Sequence, residues 1–142
     1  MYQRILVPVD GSDSAWKALN YAKMMGEQFH SELLVVHVDP YYTFATPLAP
    51  IVRPEAERGE HPLLTEAKKR LQGYPYAVTY QLAFGHPTDR ILALAEKWAA
   101  QMIVLGRRGM SGIEGFLMGS VSSAVAQYAK VPVLIVRENN SN

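Results

Sequence analysis

The chain has no cysteine among its 142 residues, which excludes disulfide bonds and thiolate-ligated metal sites. It also has almost no excess of charge, because 14 basic residues against 13 acidic ones leave a net charge of +1. This balance argues against a global basic field that would bind nucleic acid. Long hydrophobic runs are missing too, since the apolar stretch from Ile5 reaches Asp10 after only five residues, too few for a signal peptide or a membrane span. We therefore expect a cytoplasmic protein that neither binds nucleic acid nor inserts into a membrane.

Common nucleotide-binding and catalytic motifs are missing as well. No Gly-Lys-Ser or Gly-Lys-Thr occurs, and the first apolar run ends in Asp10-Gly11-Ser12 rather than opening G-x-G-x-x-G. A P-loop NTPase and a standard dinucleotide dehydrogenase are therefore not expected. Gly-x-Ser-x-Gly is absent, so no nucleophile elbow is predicted. The four histidines lack metal-ligand spacing and are predicted to be structural or exposed.

Five segments have the pattern of β-strands. Four are short, almost continuously apolar and rich in β-branched residues, as is typical of strands buried on both faces of a parallel sheet. These four are Ile5–Val9, Leu33–Val38, Met102–Leu105 and Val133–Val136. The fifth, Tyr76–Ala83, alternates between larger apolar and smaller or polar residues, which predicts a strand nearer an edge of the sheet.

Helical periodicity separates these strands. One apolar stripe follows the N-cap candidates Ser12 and Asp13, a second begins after Thr88 as the predicted cap, and a third ends before Pro132. A further helix is predicted over Leu63–Leu71.

The alternation of strands and helices predicts one α/β domain over residues 1–142, with a three-layer, Rossmann-like, mainly parallel sheet of five strands. Ligands of such sheets bind beyond the carboxyl ends of the strands, where the strand order switches. Residues 39–61 are the exception to the alternation, because four prolines interrupt any regular pattern there. Such a long loop either packs on its own domain or forms a lid or partner contact.

A glycine-rich segment lies between the fourth predicted strand and the last predicted helix. Five of the ten glycines fall between Gly106 and Gly119. Glycine lets an anion approach the main chain, and the N–H groups and dipole of the following helix favour negative charge. The segment is therefore a candidate phosphate site.

The spacing Gly106-x2-Gly109-x9-Gly119-Ser120 resembles the G-x2-G-x9-G-[S/T] signature of the ATP-binding branch of the universal stress protein family. The resemblance extends over nearly the whole chain. Its other landmarks are Ile5–Ser12, His37-Val38, Gly85-His86-Pro87, Val104-Leu105-Gly106 and Val131–Arg137.

The resemblance implies an adenine nucleotide α-hydrolase-like fold that binds ATP, with or without Mg²⁺. It further implies a sensor or regulator in a stress response, with at most slow ATP hydrolysis, since no Walker lysine or positioned base is evident. Two other functions remain open. One is an ATP-cleaving enzyme that uses Asp10 and Mg²⁺, and the other is a nucleotide-free module that regulates a protein partner such as a transporter.

Site residues carry over by matched position. Pro8, Val9 and Asp10 are expected to border the adenosine, with Val38 giving a main-chain contact to the adenine edge. The remaining expected ATP contacts are Leu105, Gly106, Arg107, Arg108, Gly109, Gly119, Ser120, Val121 and Ser122. Ser120 could also cap the last helix, which is compatible with a phosphate contact.

Two positions keep alternative interpretations. Arg107 departs from the family pattern, which commonly has a small hydroxyl residue there; it could pair bidentately with a phosphate or be a solvated surface charge. Asp10 could hold Mg²⁺ through water or cap the turn at Gly11, and the two roles are compatible.

The last predicted strand, Val133–Val136, would leave an apolar edge on the sheet, and such edges are normally covered or paired. Members of the family commonly pair at this strand across a two-fold axis. We therefore expect a homodimer formed through Val133–Val136.

Overall fold

A computed structural model describes residues 2–40, 61–108 and 119–138. Five strands form one sheet in the order β3-β2-β1-β4-β5, with every neighbouring pair parallel. The strands are β1 Arg4–Pro8, β2 Glu32–Asp39, β3 Val78–Phe84, β4 Met102–Gly106 and β5 Val133–Val136. The predicted α/β class is confirmed, and the two strands expected at edges, β3 and β5, are the edge strands.

Four helices connect the strands within the described ranges. They are α1 Asp13–Phe29, α2 Pro62–Arg70, α3 Pro87–Trp98 and α4 Ser120–Tyr128. Ser12 is the N-cap of α1 and its hydroxyl accepts from the Ala15 N–H at 3.2 Å, as predicted. Ser12 therefore fixes the start of α1 at the carboxyl end of β1.

Two predicted helix caps are wrong. The N-cap of α3 is His86 rather than Thr88, because Pro87, with its fixed φ and missing N–H, suits the first helical position. The N-cap of α4 is Gly119, and Ser120 is already the first helical residue. The hydroxyl of Ser120 is therefore not the cap of this helix.

Apolar side chains fill both faces of the sheet. Ile5, Val7 and Leu33 point into a core shared with α1 and α2, whereas Leu6 and Ile103 point into a second core shared with α3 and α4. Burial on both faces explains why these strands are continuously apolar rather than alternating. The result is the predicted three-layer arrangement.

The strand order switches between β1 and β4, which are neighbours although two strands intervene in sequence. The carboxyl ends of β1 and β4 lie beside the starts of α1 and α4. No helix in the described part of the chain is long and apolar enough to cross a membrane.

Candidate functional site

A cavity of about 410 Å³ opens at the carboxyl ends of β1, β2 and β4. Ligand pockets in proteins are typically about 300–1,000 Å³, so the cavity is large enough for a small ligand. Its lining contains these predicted site residues: Pro8, Val9, Asp10, Val38, Leu105, Gly106, Arg108, Gly119, Ser120, Val121 and Ser122. Residues from both halves of the chain thus meet at the switch in strand order.

Five lining residues were not predicted. They are Ala15, His37, Pro40, Pro87 and Ile91. Ala15 on α1 and Ile91 on α3 line the cavity because both helices begin at its rim. Strand ends and helix starts converge at the carboxyl edge of a parallel sheet, and this rule was the signal that could have identified them.

The β1–β2 end of the cavity is apolar and held by main-chain contacts. The Val9 N–H donates to the Val36 carbonyl at 2.8 Å, and Nδ1 of His37 lies 2.8 Å from the Val9 carbonyl. Because a carbonyl can only accept, Nδ1 carries the proton. The His37 ring also contacts the ring of His61, with 4.4 Å between centroids. His37 is therefore structural, as predicted, although it also lines the cavity.

Asp10 caps the turn between β1 and α1. Its Oδ1 accepts from the Ser12 N–H at 3.0 Å and from the Ser12 hydroxyl at 2.6 Å, while Gly11 has φ of 87°. The turn-capping interpretation of Asp10 is thus confirmed. Among the described residues, no group of three or more His, Cys, Asp or Glu side chains could hold a metal ion by itself.

Gly106 allows β4 to pack directly against the start of α1. A Cβ at this position would lie 2.7 Å from the Ser14 carbonyl carbon and 2.8 Å from the Ala15 nitrogen, distances that real side chains do not adopt. The Gly106 carbonyl in turn accepts from the buried hydroxyl of Ser122. Close packing between protein segments is therefore one reason for glycine here, apart from any ligand.

The first turn of α4 faces the cavity from the opposite end. The Gly119 N–H donates to the Arg107 carbonyl at 2.8 Å, and the Gly119 carbonyl accepts from the Ser123 N–H at 2.9 Å. The N–H groups of Ser120, Val121 and Ser122 precede this first intrahelical bond, and such groups have no acceptor within their own helix. The positive end of the helix dipole adds to their attraction for an anion.

The two arginines after β4 differ in position. Arg108 lines the cavity, and its carbonyl accepts from the Ser14 hydroxyl at 2.7 Å. Arg107 is not among the described residues that line the cavity. Its exposed fraction is only 5%, and it forms an ion pair with Glu138. The interpretation of Arg107 as a solvated surface charge is therefore wrong.

Glu138 joins both guanidinium groups. Its Oε1 contacts Nη2 of Arg107 and lies 2.7 Å from Nη2 of Arg108. The hydrogen bond from Arg108 has the largest effect on the carboxyl group, and despite the opposing effect of burial it and Arg107 lower the pKa of Glu138 to about 2. Sequence reasoning missed Glu138. Gly106 pairs with Val136 in the sheet, so the residues that follow β4 and β5 are neighbours. This register is a property of the fold that the sequence alone did not show.

Two predictions fall outside the described residues. Gly109, the second glycine of the motif, lies in the range 109–118, and most of the proline-rich loop lies in 41–60. The edge position of β5 agrees with the expected dimer contact, but the dimer stays a prediction.

Comparison with known proteins identifies one family. A model of the universal stress protein family matches residues 1–137. Universal stress protein YxiE of Bacillus subtilis is 33% identical over 148 residues, which cover 96% of this chain and 100% of that protein. Universal stress protein MJ0531 of Methanocaldococcus jannaschii is 29% identical over 146 residues, which cover 97% and 84% respectively.

Solved structures are similar over the same length. The structure of the hypothetical protein MJ0577 of Methanocaldococcus jannaschii has a TM-score of 0.80 and 28% identity, covering 99% of both chains. A universal stress protein crystallised in complex with cAMP has a TM-score of 0.74 and 28% identity, covering 97% of this chain and 98% of its own.

Proposed function

Because the chain belongs to the universal stress protein family, we propose that its cavity binds an adenine nucleotide, that ATP is the preferred ligand, and that ATP occupancy regulates the protein in a stress response. The site residues are those that were predicted, with Arg108 rather than Arg107 as the arginine that faces the ligand.

One observation carries the proposal: a single cavity combines an apolar end with an end suited to anions. Pro8, Val9 and Val38 supply the apolar walls that a purine requires. Arg108 and the first turn of α4 supply donors and positive charge for phosphates. The similar protein solved with cAMP supports an adenine nucleotide as the ligand class.

Mg²⁺ would accompany the phosphates rather than occupy a site of its own. Asp10 is the one carboxylate among the described residues that line the cavity, and Mg²⁺ typically uses one or two carboxylates and keeps several waters. Asp10 fits a contact made through water, because its Oδ1 already accepts two hydrogen bonds from Ser12. Bound Mg²⁺ would neutralise part of the phosphate charge.

Regulation by occupancy suits this site better than rapid turnover. Fast phosphoryl transfer needs an in-line nucleophile and a group that stabilises the transferred charge. Two arginines are candidates for that second role: Arg107 is buried against Glu138 and is not among the described lining residues, and Arg108 lines the cavity but is already paired with Glu138. We therefore expect ATP hydrolysis to be slow compared with ATP release.

We also propose that the protein is a cytoplasmic homodimer. β5 is an edge strand, and its residues Val133, Leu134 and Ile135 are only partly buried. An apolar edge of this kind is normally paired or covered. Light scattering at micromolar concentration should give the mass of a dimer, and a monomer would contradict the proposal.

The decisive experiment has two parts. Mass spectrometry of small molecules released from the purified, denatured protein should detect ATP, and calorimetric titration of ligand-free protein should give tighter binding of ATP than of AMP, cAMP or adenosine. Tighter binding of cAMP or AMP would correct the ligand while keeping the site. No binding of any adenine compound would reject the proposal and favour a nucleotide-free interaction module.

A further inference from the structure

We propose that Glu138 is an internal competitor of the nucleotide phosphates for Arg108, so that binding of a phosphorylated ligand requires Arg108 to exchange a carboxylate partner for a phosphate. This inference rests on the proposed nucleotide-binding function and adds to it a residue that sets the affinity of the site.

The geometry places Arg108 at a border between two environments. Arg108 belongs to the cavity lining, while its Nη2 lies 2.7 Å from Oε1 of Glu138. The Arg108 carbonyl is held separately by the hydroxyl of Ser14, which donates to it at 2.7 Å. The main chain is therefore fixed, and the guanidinium can change partners without moving the end of β4.

A carboxylate and a phosphate offer a guanidinium the same kind of contact. Both present charged oxygens that accept short, charge-assisted hydrogen bonds, and arginine binds either one with the same fork of N–H donors. Glu138 thus occupies Arg108 in the way that a phosphate oxygen would. Any phosphate that reaches Arg108 must compete with a negative charge already in contact with it.

The cluster is shielded enough for this competition to matter. The side chains of Arg107, Arg108 and Glu138 are 7%, 19% and 17% exposed, so solvent screens their interactions less than it screens a surface pair. Arg107 keeps Glu138 paired when Arg108 turns to the ligand, which lowers the cost of the exchange.

The exchange would also connect the ligand site to the edge of the sheet. Glu138 follows β5 by two residues, and β5 pairs with β4 up to Gly106 and Val136. Release of Arg108 removes one link between the ends of these two strands. Nucleotide binding thereby affects the edge strand through the contact between Arg108 and Glu138.

The test uses two variants of the full chain and titration calorimetry with ATP and with adenosine. Glu138→Gln keeps the shape and removes the charge, so ATP should bind about threefold to tenfold more tightly, the range expected for removing one partly exposed ionic contact. Adenosine, which has no phosphate, should bind as it does to the wild type. Glu138→Asp keeps the charge but withdraws the carboxylate by one methylene, and it should also tighten ATP binding.

The control is Glu66→Gln, which makes the same change in net charge at an exposed pair with Arg70 on α2; its ATP affinity should equal that of the wild type. Weaker ATP binding by Glu138→Gln would show that Glu138 positions Arg108 rather than competing for it. Tighter ATP binding by Glu138→Gln together with unchanged binding by Glu138→Asp would show that Glu138 acts through its charge at a distance and not through contact with Arg108. Each of these two results overturns the inference. If the wild type binds neither ATP nor adenosine, the proposed function itself fails.

Discussion

The two ends of the cavity are built in different ways. At the β1–β2 end, apolar residues such as Pro8 and Val38 lie on strands, and main-chain hydrogen bonds within the sheet hold their positions. At the β4–α4 end, polar and charged residues lie after β4 or at the start of α4. Contacts between residues far apart in sequence, such as those of Arg108 with Ser14 and Glu138, hold them in place.

This difference indicates that the two ends recognise different parts of a ligand. The apolar end should recognise a base by shape and should bind ligands equally well whatever phosphates they carry. The charged end should respond to the number of phosphates and to ionic strength. Substitutions at the two ends should therefore be separable by comparing ATP with adenosine.

The largest effect is expected at Gly106, which belongs to the charged end of the cavity. Both the fold and the site depend on the close contact of Gly106 with α1. Gly106→Ala places a Cβ 2.8 Å from the Ala15 nitrogen, and backbone atoms of α1 cannot move away as a flexible side chain can. We expect a loss of about 3 kcal/mol in the free energy of unfolding, measured by urea denaturation. A loss below about 1 kcal/mol would mean that the end of β4 relaxes easily and that the contact is not a strict constraint.

Arg108→Gln tests the charged end alone. Removing the guanidinium should weaken ATP binding about tenfold, the loss expected for one charge-assisted contact to a phosphate. Adenosine should bind as before, because the substitution leaves the apolar wall intact. Calorimetric titration with both ligands measures the ratio. An equal loss for ATP and adenosine would mean that Arg108 supports the whole cavity rather than its charged end.

Val38→Ala is the matching test of the apolar end. Val38 is 8% exposed and lines the cavity, so truncation removes apolar contact with a base. We expect about a fivefold loss of affinity, of the size of one or two buried methyl groups. The loss should be the same for ATP and adenosine in the same titrations. A loss confined to ATP would show that the ligand lies in the opposite direction in the cavity.

The apolar end was also the part that the sequence predicted well. Continuous apolar runs predict buried parallel strands, and the rule that ligands bind at carboxyl ends points to the ends of these strands. The family resemblance then named Pro8, Val9 and Val38 there. The glycine spacing located the β4–α4 end. It could not reveal that Gly106 packs on α1, because that contact joins segments some ninety residues apart.

Details that depend on local competition were predicted less well. Thr88 and Ser120 are good capping residues, but Pro87 and Gly119 at the preceding positions set the helix starts two residues and one residue earlier, respectively. Arginine is usually exposed, whereas Arg107 is buried and paired with Glu138, which follows another strand. Capping and exposure propensities describe single residue types, whereas the observed helix starts and the burial of Arg107 depend on neighbouring residues.

The smallest expected effect concerns acid stability at the charged end. The pKa of Glu138 is lowered from its ordinary value of 4.5 to about 2 by hydrogen bonds from Arg108 and Arg107. A carboxyl whose folded-state pKa is depressed stabilises the protein fully above its unfolded pKa, and that stabilisation disappears as pH falls through the folded pKa. Glu138 should therefore contribute about 1 kcal/mol at neutral pH, allowing for solvent screening of a partly exposed pair. This contribution should decline from about pH 4.5 towards pH 2.

Urea denaturation of the wild type and of Glu138→Gln at several pH values measures this contribution as the difference between their free energies of unfolding. That difference should become smaller as the solution is acidified and in high salt. A difference that stays constant with pH would mean that Glu138 acts through packing alone, and the contrast between an apolar and a charged end would then not extend to stability.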